Sequence, residues 1–132
     1  MNNKSKYMKR ALLVIVILLM AYPLFVFGRF KYWEWTTTPE TLSQSKTMTI
    51  FYREKCRRCR KVMPWLIFKH SLDKTRVNVV NANHYQRSSL EEIGVYITPA
   101  FRIDNQSYNT IDVSKIERLW NSSKWISYYN IK

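Results

Sequence analysis

The chain has two cysteines, in Cys56-Arg57-Arg58-Cys59. Two thiols at this spacing can cycle between dithiol and disulfide, close a structural disulfide, or bind a soft cation. Zinc needs four ligands, and the other candidates, His70 and His84, stand at spacings unlike those of a zinc finger. A structural disulfide would close a very small loop and stabilise little. A Cu(I) carrier would use the same two thiolates, so it stays open. Redox exchange needs one activated thiol and a second to resolve, which depends on the elements that hold the pair.

Thr47-Met48-Thr49-Ile50-Phe51-Tyr52 is β-branched and aromatic and predicts a buried strand. Arg53-Glu54-Lys55 is a polar turn. From Cys56 to Leu72 the apolar residues Val62, Trp65, Leu66, Phe68 and Leu72 recur at mostly helical spacing. Pro64 falls inside this helix and is expected to bend it. Cys56 then sits at a helix N-terminus, where unpaired N–H groups and the macrodipole stabilise an anion. Arg57 and Arg58 are expected to stabilise the thiolate further by their charge. Cys59, one turn on, can attack a mixed disulfide formed by Cys56. Arg53, Lys55, Arg60 and Lys61 extend a basic rim, of which Arg60 and Lys61 read as solvated surface.

Residues 76–82 predict a second strand and residues 88–94 a short helix ending at Gly94. Residues 99–103 predict a third strand, turned at Asp104-Asn105-Gln106 into a hairpin with residues 107–111. Asp112 caps a last helix carrying Val113, Ile116, Leu119 and Trp120. This order, β-α-β-α-β-β-α, predicts an α/β fold with a mixed sheet and helices on both faces. His70 and His84 read as surface or boundary residues. Trp120 reads as core, and Trp125 as core or a membrane-facing anchor.

Over residues 47–122 the chain resembles the thioredoxin superfamily. Three features carry the resemblance: C-x-x-C at a strand-to-helix step, Pro64 five residues after Cys59, and Thr98-Pro99 opening the third strand. The resemblance implies a thioredoxin-like fold, Cys56 as nucleophile and Cys59 as resolver. It also implies a cis Pro99 against the cysteine pair, with Thr98 and Pro99 binding substrate backbone. By size and layout the chain is similar to small membrane-tethered bacterial members, among them bacteriocin transport accessory proteins. It departs from the family in two places. Ile50 stands where thioredoxins carry a buried carboxylate, and Arg57-Arg58 replaces Gly-Pro between the cysteines.

Residues 11–28 (ALLVIVILLMAYPLFVFG) carry no charge, which predicts one N-terminal transmembrane helix. The bulky aromatic run after it, Phe30-Lys31-Tyr32-Trp33-Glu34-Trp35, suits an interfacial belt better than a peptidase site, so a retained signal anchor is expected. Lys4, Lys6, Lys9 and Arg10 precede the span and only Arg29 and Lys31 follow closely. The expected topology is single-pass in a cell membrane, with residues 1–10 cytoplasmic and residues 47–132 outside. Residues 29–46 are expected to form a linker. The 132 residues leave room for one domain beyond this anchor. The net charge of +13 comes without any nucleic-acid-binding motif, so no nucleic-acid partner is expected.

These readings predict a membrane-tethered thiol–disulfide oxidoreductase acting on protein or peptide substrates, as oxidant or isomerase rather than reductase. It would need no metal and no cofactor, and a membrane-bound redox partner is compatible with it. The alternative is a non-catalytic tethered protein, either a metal carrier or a bacteriocin accessory or immunity protein that binds a peptide.

Overall fold

Strand β1 (Thr49–Tyr52) is the centre from which the fold is organised. The computed structural model describes residues 3–37, 42 and 47–129, with side chains described as far as Trp125. β1 pairs in parallel with β2 (Asn78–Asn81) and antiparallel with β3 (Ala100–Ile103), which pairs antiparallel with β4 (Gln106–Tyr108). The sheet order is β2-β1-β3-β4. All four residues of β1 are buried, as expected of a strand covered on both faces and paired on both edges.

Registry across the sheet sorts the side chains into two rows. Val79, Ile50 and Phe101 align on one face, and Val80, Phe51 and Ala100 align on the other. The first row packs against helix α2 (Arg57–Lys69), through Val62, Met63 and Leu66, and against helix α4 (Val113–Tyr129), through Ile116 and Trp120. The second row is covered by Leu90 of helix α3 (Arg87–Glu92) and by Val95. Each large apolar side chain so buried contributes about 1.5–3 kcal/mol. The α/β class, the mixed sheet and helices over both faces therefore match the expectation from sequence.

Turn chemistry fixes the connections. The β3–β4 loop has two residues, Asp104 and Asn105, both at positive φ (47° and 65°), the conformation of a tight primed hairpin turn. The hairpin is shorter than expected, since β4 ends at Tyr108 rather than near Ile111. α3 ends in a paired cap: Gly94 N–H donates to the Glu91 carbonyl at 3.0 Å, and Val95 N–H to the Leu90 carbonyl at 2.8 Å. Gly94 needs its φ of +77° for this, and a Cβ there would also press on Ser107 at 3.4 Å. Asp112 caps α4, its Oδ1 accepting from Ser114 N–H at 2.9 Å. α2 runs unbroken through Pro64.

The N-terminal helix α1 (Asn3–Trp35) has 33 residues and is long and apolar enough to cross a membrane. Its apolar residues are exposed through Phe25. Beyond Phe25, Val26, Phe30 and Trp33 are buried, at the i, i+4, i+7 spacing of one helical stripe. Phe30 and Trp33 join the same core as Ile50 and Leu66. Polar contacts fasten the helix along its length. Tyr22 Oη lies 2.9 Å from Ser71 Oγ, the Arg29 guanidinium donates to the Asp73 carbonyl, and Tyr52 Oη donates to Glu34 Oε2 at 2.9 Å. Past the helix, Thr37 Oγ1 accepts from Val79 N–H at 3.1 Å on the outer edge of β2.

No linker begins at Arg29. Residues 29–35 continue α1, and residues 38–41 and 43–46 of the expected linker lie outside the described residues. Bulky aromatics serve a membrane belt and a protein core equally well, so composition alone did not separate the two. The helical stripe did. Phe30→Ala and Trp33→Ala should each destabilise the full-length chain in non-ionic detergent by about 3 kcal/mol. Urea denaturation checks this, and losses below about 0.5 kcal/mol would return these residues to a linker.

Candidate functional site

β1 delivers the chain into the Arg53–Lys55 turn, closed by Cys56 N–H donating to the Arg53 carbonyl at 3.3 Å. Cys56 is the N-cap of α2, with extended backbone (φ −80°, ψ 115°). Its carbonyl accepts the first helical hydrogen bond, from Arg60 N–H at 3.1 Å. Its sulfur takes the place that a Ser or Asp oxygen takes in most caps, accepting from Cys59 N–H at 3.2 Å. From across the site, the Thr98 carbonyl accepts from the Cys56 thiol at 3.3 Å. Thr98 leads into Pro99 through a cis peptide bond. The structure thus brings together Cys56, Cys59, Thr98 and Pro99, four of the residues singled out from sequence.

The two thiols differ sharply. Cys56 is partly exposed and Cys59 is buried, and both are free. Partial burial by itself would raise the Cys56 thiol. Hydrogen bonds from the side chains of Cys59 and Thr98 and from the N–H groups of Cys59 and Arg58 outweigh it, so the thiol falls below its ordinary value. Burial pushes the Cys59 thiol up to about 11, and the neighbouring Cys56 sulfur adds to this. The first thiolate to form therefore belongs to Cys56.

Arg58 reaches the sulfur through its backbone N–H. The guanidiniums of Arg57 and Arg58 make no hydrogen bond to it, and both residues line a groove of about 460 Å³ beside Cys56, with Arg53, Lys55, Tyr96 and Ile97. On the opposite side of the pair, an apolar cavity of about 440 Å³ reaches Cys59. It is lined by Pro23, Val26, Phe27 and Phe30 of α1 and by Met63 and Pro64 of α2. Ile50 is buried in the sheet core, and Glu54, the carboxylate nearest in sequence, accepts from Asn81 Nδ2 at 3.0 Å. Among the described residues no carboxylate is hydrogen-bonded to either sulfur.

His70, expected at the surface or boundary, lies instead in the interior, because partners distant in sequence enclose it. It is buried at the C-cap of α2, stacked on Trp120 with ring centroids 4.0 Å apart. Nδ1 lies 2.7 Å from Asp73 Oδ2 and Nε2 lies 2.9 Å from Glu117 Oε1. Trp120 Nε1 donates to Asp73 as well, and Lys124 and Lys69 pair with the two carboxylates. Burial alone would raise both carboxyls, but these bonds hold both below their ordinary values. Their stabilisation is present above the ordinary carboxylate pKa and is lost as pH falls through the lowered values. The cluster lies about 20 Å along α2 from Cys56, so it staples α2 to α4 and does not touch the thiols. Its key partners stand 47 residues away in sequence, beyond any local signal. His84 belongs to a short 3₁₀ turn, Trp120 is in the core, and Trp125 is exposed.

Among the described residues no group of three or more His, Cys, Asp or Glu side chains could hold a metal ion. No family model, curated protein or solved structure matches the chain.

A pair of this kind should titrate in two separated steps. Ultraviolet thiolate absorbance of the reduced chain should show one thiol ionising below the ordinary thiol range and a second at about 11. Cys59→Ser should remove the upper step. Two thiols titrating together at the ordinary value would contradict the assigned asymmetry.

Proposed function

We propose that the chain is a thioredoxin-type thiol–disulfide oxidoreductase held at a membrane by α1. The observation that carries the reading is the Cys56 sulfur. It sits on the N-terminus of α2, facing Thr98 and the cis Thr98–Pro99 bond, with the buried Cys59 one turn behind. The parallel β1–α2–β2 unit followed by the β3–β4 hairpin and α4 supports the thioredoxin-type fold. Pro64 within α2 is the third feature of that resemblance.

In the reducing direction, the Cys56 thiolate attacks one sulfur of a substrate disulfide. The substrate S–S bond breaks, a Cys56–substrate disulfide forms, and the leaving substrate thiolate takes a proton from solvent. Cys59 then loses its proton and attacks the Cys56 sulfur. The mixed disulfide breaks, Cys56–Cys59 forms, and the second substrate thiol leaves. Two electrons have passed from the pair to the substrate. Run backwards, the same steps oxidise a substrate dithiol. Only the two thiols change bonding, so the exchange needs no cofactor.

Thr98 and Pro99 align the substrate backbone beside Cys56, and the stabilised Cys56 thiolate favours the reduced form of the pair. That makes its disulfide an oxidant, the direction suited to an extracytoplasmic site. The Lys and Arg excess before residues 11–28 places the cysteines on the outer side. Substrates are protein or peptide thiols and disulfides, with a membrane-bound redox partner resetting the pair. A Cu(I) carrier needs both sulfurs as thiolates, which the burial of Cys59 disfavours, and a peptide-binding accessory protein requires neither thiol.

Trapping separates these readings. Cys59→Ser should accumulate mixed disulfides between Cys56 and client proteins, seen as reductant-sensitive bands, and Cys56→Ser should accumulate at least tenfold less. Equal trapping by both variants would overturn the assignment of roles. A function that survives replacement of both cysteines by serine would overturn the oxidoreductase reading itself.

A further inference from the structure

The groove beside Cys56 carries a pattern of charge that thiol exchange alone does not require. Four cationic residues line it, Arg53, Lys55, Arg57 and Arg58, and no acidic residue does. Arg53, Lys55 and Arg57 are exposed and Arg58 half-buried, and among the described residues none of the four forms an ion pair. The one carboxylate in the preceding turn, Glu54, is engaged by Asn81 and does not line the groove. The other wall presents Tyr96 and Ile97, 66% and 52% exposed, immediately before Thr98.

Elsewhere in the domain, cations are partnered where carboxylates are within reach, as at Lys69–Glu117, Lys124–Asp73 and Arg87–Glu91. Four unpaired like charges beside one sulfur repel one another. An anionic partner relieves that repulsion, and within a Debye length of about 8 Å each charge acts on an approaching chain. The groove also includes Leu90 and Val95, which cover the sheet face opposite the one that receives α1. It therefore opens away from the packed anchor helix, which favours a protein chain over lipid headgroups as its occupant.

We propose that this groove selects substrate segments whose reacting cysteine is flanked by acidic residues, with an apolar side chain resting on Tyr96 and Ile97. The proposal rests on the thiol-exchange reading and adds the substrate class to it. The acidic flanks raise the encounter rate and hold the substrate cysteine over Cys56, so the preference is electrostatic and weakens with salt.

The test uses the reduced full-length chain in non-ionic detergent. The probes are two synthetic peptides, each with one mixed disulfide and an aromatic residue, identical except for two Glu or two Lys on either side of the cysteine. Hydroxyethyl disulfide, small and uncharged, reports the intrinsic reactivity of the thiol, and every peptide rate is divided by it. At low salt the Glu peptide should react at least about tenfold faster than the Lys peptide, and the ratio should shrink severalfold at high salt. Arg53→Gln with Lys55→Gln should reduce that ratio by at least about threefold. Lys115→Gln with Arg118→Gln, at the start of α4, should leave it as it was, which separates the groove from the overall net charge. Equal rates for the two peptides, or a ratio indifferent to Arg53 and Lys55, would overturn the proposal. Failure to react even with hydroxyethyl disulfide would overturn the thiol-exchange reading beneath it, a different result from the loss of preference.

Discussion

The structure turns on a sulfur atom used as a helix cap. An α-helix leaves its first N–H groups without partners, and here those of Arg58 and Cys59 are spent on Cys56. The cap must be extended in backbone and lie at the end of a strand, so β1, the tight Arg53–Lys55 turn and α2 are bound to one geometry. The same requirement places Cys59 on the inner face of α2, where the sheet buries it. One thiol is stabilised as an anion by the contacts that start the helix, and the other is kept protonated by the core that the helix covers. The chemical difference between two identical side chains thus comes from the fold.

α1 extends this logic to the membrane. After a basic start, residues 11–25 are uncharged and exposed all round, as suits a helix in lipid, and the last part carries the stripe that completes the core. Where the change occurs, Pro23, Val26, Phe27 and Phe30 line the apolar cavity behind Cys59, and Tyr22, Arg29 and Lys31 fasten to Ser71, Asp73 and Tyr52. A domain docked in this way is not free to swing. The Cys56 sulfur keeps a set relation to α1, and the groove beside it is lined in part by Leu90 and Val95, on the other face of the sheet.

Local pattern made much of this legible. The β-branched run before the cysteines, the helical spacing after them, Asp112 as a cap and Asp104-Asn105 as a turn each express a preference that the final structure keeps. Thr98 and Pro99 were found through resemblance, and their place beside Cys56 rests on the β1–β3 pairing, which no local pattern specifies. Two features were not legible. The stripe of Val26, Phe30 and Trp33 was hidden because it continues directly from an apolar span and shares its residue types. The His70 cluster was hidden because the Glu117 carboxylate and the Trp120 indole come from α4, and only the packing of α4 on α2 completes it. Arg57 and Arg58 were read for their charge on the thiolate, whereas the structure joins Arg58 to the sulfur through backbone and makes both residues part of the groove wall.

A helix cap that stabilises the Cys56 thiolate would favour the reduced pair. The most direct measurement is the equilibrium constant of the Cys56–Cys59 pair with glutathione, followed on the full-length chain at neutral pH. The account predicts a reduction potential clearly less negative than the value of about −270 mV typical of thioredoxin. A potential at or below that value would contradict it and make the pair a reductant whose thiolate the helix does not favour.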